Sequence, residues 1–410
     1  MPKKISFLGL FGQQNLGNEC TLQAIIHNVR RYFPDAEITC ICTGPDDTRI
    51  RHNITAFPIL NRYARGYNSK ETREKYGLLR RLLRKVFIRI PMELLHWVKA
   101  FETLKGTYML VVPGTGFLSD YSTHAFGWPY FIFKWSIIAR LCRCKLLFVS
   151  VGAGPLWRPL SKWFIKVALS LADYRSYRDS FSKQCLESIG FATNNDPVYP
   201  DLAFSLPRAM FPECDHHDRQ RPVIGVGLKD YYGKLGDSQR GGKAIYRDFI
   251  NKLGTFVSWL VEHKYTVRLL IGDTLYDGPV KQDLTELLEK RGLKYEDGQI
   301  INEPISSVEQ LSSQLAATDI VVSPRFHNVL LGLMLVKPVV SLSYHEKFAS
   351  LMAGVGLAEY CHDIDHLDVD RLTAQIVELE KRAAKLTPHI KQKVQEYRNA
   401  LEEQYARIFN

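Results

Sequence analysis

The 410-residue chain has no run approaching about 18 consecutive apolar residues, so nothing in it reads as a membrane-spanning helix. Its start, Met1-Pro2-Lys3-Lys4 followed by a short apolar run ending in Gly9, lacks the long apolar region and small-residue cleavage site of a secretory signal. The chain is therefore expected to stay in the cytoplasm. Cysteines are few: the eight present are scattered without the spacing of a secreted framework, and they read as reduced thiols. The two tight pairs, Cys40-x-Cys42 and Cys142-x-Cys144, lack the wider spacing and second ligand pair of a structural zinc site, so no metal is expected. RNP-like, zinc-finger and helix-turn-helix signatures are missing as well and the basic residues are widely spread, which argues against a nucleic-acid partner.

What is present is an ordinary soluble composition, 46% hydrophobic and 24% charged, in a chain too long for one core. Two domains, and hence a cleft, are the natural expectation. Lysine plus arginine exceed aspartate plus glutamate by 54 to 43, a net charge of +11 that favours acidic ligands or an anionic surface without choosing among them.

Short apolar runs at Ile5 to Leu10, Glu37 to Cys42, Tyr108 to Val112, Lys145 to Val151 and Tyr174 to Tyr177 alternate with helical patterns, the βαβα rhythm of a parallel sheet. The rhythm breaks at the proline-rich stretch Asp196 to Pro212 and restarts with Val223 to Leu228, Thr266 to Ile271, Gln299 to Ile301, Asp319 to Val322 and Pro338 to Leu342. The expected fold class is α/β: two Rossmann-like doubly wound domains in a GT-B-like arrangement with an interdomain cleft. The expected divisions are residues 1–205, 206–375 and a C-terminal helical segment 376–410. Ligands in such sheets bind beyond the carboxyl ends of the strands, so residues just after strands come first.

After the first strand, Gly12-Gln13-Gln14-Asn15-Leu16-Gly17-Asn18-Glu19 lacks the G-x-G-x-x-G spacing of a dinucleotide site; it is either a structural turn or a loop whose helix start suits an anion or a polar sugar. Gly114 and Gly116 follow the strand ending at Val112, and Gly152 and Gly154 follow the one ending at Val151. Three glycine turns on one sheet rim suggest a binding edge. Arg178 ends the strand Tyr174 to Tyr177 ahead of Asp179-Ser180, free to bind an anion or paired to Asp179 at the surface. The strongest constellation is Ser323-Pro324-Arg325-Phe326-His327-Asn328: arginine takes a carboxylate or phosphate bidentately, and histidine moves protons near neutral pH. Its plainer reading makes Phe326 a core anchor and His327 a cap. Tyr344 and Lys347 sit at the next loop-to-helix junction, and Asp120, His124 and Trp128 are candidates for choosing an acceptor.

The ordered set of Asn15-x-Gly17-Asn18-Glu19, Pro113 to Gly116, Gly152 to Pro155, Tyr177-Arg178-Asp179 with Ser182, Pro200 to Phe204, Arg325-x-His327 and Tyr344-x-x-Lys347 resembles the polysaccharide pyruvyl transferase family. The resemblance spans roughly Ile5 to Leu357; Asn18 stands where the family commonly has aspartate, and Gly114-Thr115-Gly116 where it commonly has a third glycine. It implies phosphoenolpyruvate as donor, a sugar acceptor with two hydroxyls bridged as a ketal, phosphate release, and no cofactor. It further implies that Arg325 and Arg178 hold the donor's two anionic groups, that His327 handles the proton, and that Ser323, Phe326 and Lys347 line the donor side. Asn15, Gly17, Gly114, Gly116, Asp120, His124 and Gly152 would then serve the cleft or the acceptor.

Two alternatives stay open. A GT-B glycosyltransferase using a nucleotide sugar has the same fold pattern, and a non-enzymatic binding module would use the basic surface alone. One further stretch, residues 78–90, places Leu79, Leu82, Leu83, Val86, Phe87 and Ile90 at helical spacing among Arg80, Arg81, Arg84, Lys85 and Arg89. It reads either as a helix packed on its own domain or as one lying on an anionic membrane that carries a lipid-linked oligosaccharide acceptor.

Overall fold

The computed structural model describes residues 2–59, 90–121, 123–212, 221–234, 241–294, 296 and 298–410. The basic stretch 78–89 lies outside the described residues. Two compact units divide the chain: Met1–Gln13, Asn28–Tyr199 and Ile408–Asn410 form the first, Gln14–His27 and Pro200–Arg407 the second.

In the first unit, β1 (Lys4–Gly9), β2 (Glu37–Cys42), β3 (Thr55–Pro58), β4 (Met109–Pro113), β5 (Lys145–Val151) and β6 (Tyr174–Tyr177) form one parallel sheet in the order β3-β2-β1-β4-β5-β6. In the second, β7 (Val223–Gly227), β8 (Thr266–Leu270), β9 (Ile300–Ile301), β10 (Ile320–Ser323), β11 (Val339–Ser343) and β12 (Cys361–Asp363) are again all parallel, ordered β12-β11-β10-β7-β8-β9. Numbered from its own first strand, each sheet has the doubly wound order 3-2-1-4-5-6, whose order reverses beside the first strand and opens a crevice there. Central strands such as β4, Met-Leu-Val-Val-Pro, are apolar and buried along their whole length because helices cover both faces. The edge strands β3 and β12, by contrast, carry too few apolar residues to stand out in the sequence.

The first unit's helices are α1 (Leu16–Tyr32), shared with the second unit, then α2 (Pro45–His52), α3 (Ile90–Leu104), α4 (Trp128–Leu141), α5 (Pro159–Ser170) and α6 (Ser180–Ser188). The second unit adds α7 (Gly242–Glu262), α8 (Asp277–Lys290), α9 (Val308–Ala316), α10 (Phe326–Met334), α11 (Glu346–Gly354) and α12 (Val369–Phe409). Rather than starting near 376 as a separate segment, α12 is one 41-residue helix that runs through Pro388. Pro388 is exposed, so the carbonyl that loses its partner can turn to water, and the Thr387 hydroxyl donates to the Ala383 carbonyl at 2.9 Å. Only its last residues return to the first unit, where Phe409 packs on Tyr32 and Phe33 at 5.4 and 5.8 Å between ring centroids.

Residues 14–27 belong to the second unit although they follow β1. The chain leaves the first sheet at Gly12, which has φ +73°, and a Cβ there would lie 1.9 Å from the Gly44 carbonyl oxygen. Both the backbone conformation and the close approach require glycine. Gly12→Ala is expected to lower unfolding stability in urea by about 1 to 3 kcal/mol, read from the shift in denaturation midpoint.

Candidate active site

The constellation after β10 is built on a buried ion pair. Arg325 caps the start of α10, its backbone N–H donating to Ser323 Oγ at 3.0 Å, and its guanidinium Nη2 pairs with Asp277 and, at 3.4 Å, with Asp230. Burial opposes the charge on Arg325, but the Asp277 carboxylate outweighs it and raises the pKa. Asp277 is fully buried and also accepts the N–H groups of Gly272 and Asp273 at 3.0 and 2.9 Å. One carboxylate thus fixes both the arginine and the turn after β8.

That turn in turn holds the loop carrying Asn15 and Gly17. Asn15 Nδ2 donates to Asp273 Oδ2 at 3.2 Å, Leu16 N–H donates to the Gly272 carbonyl at 3.0 Å, and Thr274 N–H donates to the Gln14 carbonyl at 3.0 Å. Asn15 is therefore engaged in positioning α1, whose start lies against His327. A Cβ on Gly17 would fall 2.1 Å from His327 Nδ1, so only glycine allows the contact. His327 Nε2 faces Asp201 Oδ1 at 3.8 Å, too long for a hydrogen bond but close enough for charge pairing when the ring carries a second proton. Asp201 is buried and caps the short helix Leu202–Ser205 through the Ala203 N–H.

Arg325 Nε, His327 Nε2 and both amide atoms of Asn328 are buried without a hydrogen-bond partner among the described residues. Unpaired polar atoms gathered on one helical turn are costly unless water or a bound polar group satisfies them, which makes this turn the candidate site.

Next to it stands a cluster of cations around aromatic rings. Lys229 Nζ lies 5.0 Å from the Tyr344 ring centroid, and Lys347 Nζ lies 5.1 Å from that of Phe326 and 5.9 Å from that of Tyr344. Burial pushes the Tyr344 phenol up, but Lys347, Lys229 and Arg325 together bring it down to about 8. Asp230, beside Arg325, is shifted the other way: burial raises its carboxyl above the usual range, with Asp277 and Asp273 adding to the effect. Lys229 and Asp230 follow β7, and Tyr344 and Lys347 follow β11, so all four stand beyond strand carboxyl ends.

Two residues expected on the donor side turn out to be supports. Ser323 is fully buried, its hydroxyl caps Arg325, and it fits only because residue 227 is glycine, where a Cβ would lie 2.0 Å from that hydroxyl. Phe326 is buried against Phe348 at 5.6 Å and walls the cluster. Asp277, Asp230 and Lys229 escaped the sequence reading. Strand-end placement could have flagged Lys229 and Asp230, but Asp277 opens a helix and reads there as an ordinary first-turn acid.

In the first unit the glycine loops after β4 and β5 interlock: Gly152 N–H donates to the Thr115 carbonyl at 3.1 Å, and Gly154 N–H to the Leu118 carbonyl at 3.0 Å. A Cβ on Gly152 would meet Arg178 Nη2 at 2.6 Å and the Gly116 Cα at 3.3 Å, so Arg178 lies directly across this rim. Arg178 and Asp179 form a contact at 3.4 Å with side chains only 10% and 7% exposed, which makes it an interior pair rather than a surface one. Asp179 also caps α6 through the Ser182 N–H at 2.6 Å. Just before Gly152, Ser150 adopts φ +48° and is held by its N–H donating to Ser176 Oγ at 2.8 Å. Gly114 N–H donates to the Val149 carbonyl at 2.9 Å, a bond between the β4 and β5 ends.

The acceptor candidates divide. His124 is exposed, whereas Asp120 is fully buried and its carboxylate is taken up by the N–H groups of Trp157 and Arg158, both at 3.0 Å. Burial opposes its charge, but those two bonds win and hold its carboxyl below the usual range. Asp120 therefore holds the loop after β5 in place.

The family model for polysaccharide pyruvyl transferase matches residues 15–346. The chain belongs to that family. This makes it a transferase of polysaccharide biosynthesis, acting on a sugar acceptor. No curated protein matches the sequence at a significant level. Among solved structures, a glycosyltransferase from Rickettsia africae superposes with a TM-score of 0.58 at 12% identity, covering 100% of this chain and 98% of that one. Anabaena Alr3699/HepE in complex with UDP gives 0.56 at 14% identity over 99% and 100%. The UDP-GlcNAc 2-epimerase of Neisseria meningitidis bound to UDP-GlcNAc gives 0.56 at 12% over 95% and 94%. At such identities the likeness is one of fold, the GT-B class with two Rossmann-like domains.

The Gly17 contact supplies a test that separates site geometry from stability. Alanine is favourable in a helical first turn, so Gly17→Ala is expected to keep the thermal midpoint within a few degrees. It should displace the His327 ring and lower turnover by about 10²-fold.

Proposed function

We propose that this pyruvyl transferase family member takes phosphoenolpyruvate as donor and bridges two hydroxyls of one sugar with pyruvate as a cyclic ketal, releasing phosphate, in cell-surface or exopolysaccharide assembly. The observation that carries the reading is the cationic cluster of Lys229, Arg325 and Lys347 around Tyr344, beside His327. A field strong enough to bring a phenol down to about 8 favours a multiply charged anion, and phosphoenolpyruvate carries a phosphate and a carboxylate.

The chemistry asks for a proton and an anion clamp. Protonation of the donor's methylene carbon makes C2 electrophilic, and the first sugar hydroxyl adds there while giving up its proton. Phosphate then leaves from C2, the second hydroxyl takes its place, and its proton departs with the phosphate. His327, with Asp201 behind Nε2, is suited to the proton transfer, and Lys229, Lys347 and the unpaired Nε of Arg325 to the anionic groups. In the first unit, Arg178 lies across the glycine rim at Gly152, and its guanidinium suits an anionic group there. The scheme calls for no metal or cofactor. A lipid-linked oligosaccharide is the acceptor form that the basic balance of the chain favours.

The test must respect the buried pair, because Arg325→Ala would strand the Asp277 carboxylate without its cation. Lys347→Ala and His327→Ala are the cleaner variants. Phosphoenolpyruvate is expected to raise the thermal midpoint of the parent, less so that of Lys347→Ala, while His327→Ala retains donor binding and loses about 10²- to 10⁴-fold in turnover. Stabilisation by UDP and not by phosphoenolpyruvate would replace this reading with that of a nucleotide-sugar glycosyltransferase.

The Tyr344 hydroxyl makes a pH prediction. Because its pKa is lowered to about 8, raising the pH through that value adds a negative charge inside the anion site. KM for phosphoenolpyruvate should therefore rise above about pH 8, and Tyr344→Phe should flatten the rise; an unchanged profile in the variant would remove Tyr344 from the donor site.

A further inference from the structure

Helix α3 turns a large part of its apolar surface outward. Facing the protein it places His96, which is buried, and Glu93, while Leu94, Leu95 and Val98 are 62%, 60% and 56% exposed. With Ile90 and Phe101 these residues recur at helical spacing and form an apolar stripe turned away from the core. Beneath the stripe, Lys134 of α4 is fully buried and donates to Glu93 Oε1 and contacts His96 Nδ1, each at 2.7 Å. Tyr130 donates to Glu93 at 2.8 Å and accepts from Trp97 Nε1 at 3.0 Å. α3 buries Ala100 and Leu104 in the ordinary way, but it also turns the buried His96 and the partly exposed Glu93 toward Lys134 of α4 while leucine, valine and phenylalanine face outward, against the usual sorting by water.

The stripe continues into an aromatic surface. α3, α4 and α5 pack in succession, and the rings of Tyr130, Phe133 and Trp163 follow one another at centroid distances of 6.4 and 5.3 Å. Phe126, Leu141, Trp157, Leu160 and Trp163 are exposed as well. Including Tyr121, eleven of the sixteen large exposed hydrophobic residues among those described belong to α3, α4, α5 and the loops leading into α4 and α5. A concentration of this kind marks an interaction surface rather than scattered exposure.

Its chemistry selects the partner. Trp157 and Trp163 have the amphipathic rings favoured where an apolar phase meets water. Lys99, Lys105, Arg143 and Arg158, the last also paired with Asp120, are exposed around the apolar residues; the acids of α3 are Glu102, exposed, and Glu93, partly exposed and paired with Lys134. Apolar stripe, tryptophan and surrounding cations are the complement of an anionic lipid headgroup layer over acyl chains.

We propose that the outer face of α3 and α5 docks this protein on anionic membrane surfaces, with the Ile90 to Phe101 stripe and Trp163 entering the headgroup boundary. The inference is independent of the donor chemistry, because its readout is vesicle binding and not turnover. The full chain is expected to co-sediment with phosphatidylglycerol-containing vesicles more than with phosphatidylcholine vesicles, and to be weakened but not released by salt. Leu94→Glu combined with Val98→Glu should lower partitioning at least tenfold with an unchanged thermal midpoint, since both side chains already face outward. Brominated lipids should quench tryptophan emission, and Trp163→Phe should remove part of that quenching. Failure of the parent chain to bind anionic vesicles, equal binding by the double variant, or loss of a stable dimer in the double variant instead of vesicle binding would each overturn the proposal. A parent that binds vesicles yet is not stabilised by phosphoenolpyruvate would leave the docking surface standing and remove only the donor assignment.

Discussion

The second unit is organised around one carboxylate. Asp277 is removed from water and pairs with Arg325, a state tolerated only because its oxygens also receive the Gly272 and Asp273 N–H groups. The arginine is thereby set at the head of α10, the turn after β8 is closed, and through Asp273 and Asn15 the start of α1 is brought to His327. The residues most suited to chemistry are thus connected through a single buried anion, and its removal would disturb them together rather than one at a time.

The first unit uses backbone geometry where the second uses charge. Its rim is made by loops whose amides bond to one another, by a serine held at positive φ, and by a glycine that leaves room for the Arg178 guanidinium. Strain of this type persists only when neighbours over-determine it, as Ser176 does for Ser150. Asp120 belongs to the same scaffolding, since a carboxylate that satisfies two backbone N–H groups in the interior has little left to offer a substrate.

On α3 the polar network of Lys134, Glu93, His96, Tyr130 and Trp97 has a different role, fixing which face of the helix is turned outward. Burial, with Lys134 adding to it, lowers His96 to about 4, so the imidazole is neutral and can accept from the lysine. The apolar stripe is held outward by hydrogen bonds beneath it, which makes its exposure a property of the packed helix pair rather than of a loosely attached element.

The sequence by itself determined the two parallel sheets and the Arg325-x-His327 turn. Continuous apolar strands such as Met109 to Val112, and glycine or helix-start residues after them, follow from local propensity and from burial on two faces. The short edge strands β3 and β12 left no such trace, and neither did the continuation of α12 through Pro388, because each depends on a neighbour or on solvent rather than on its own residues. Only the tertiary structure decided that Asn15 and Gly17 serve His327, that Ser323 and Asp120 are interior supports, and that Asp277 holds Arg325. Apart from the Ser323 cap on Arg325, these roles rest on pairs separated by tens to hundreds of residues, and no local pattern records which buried charge will find which partner once the chain has closed.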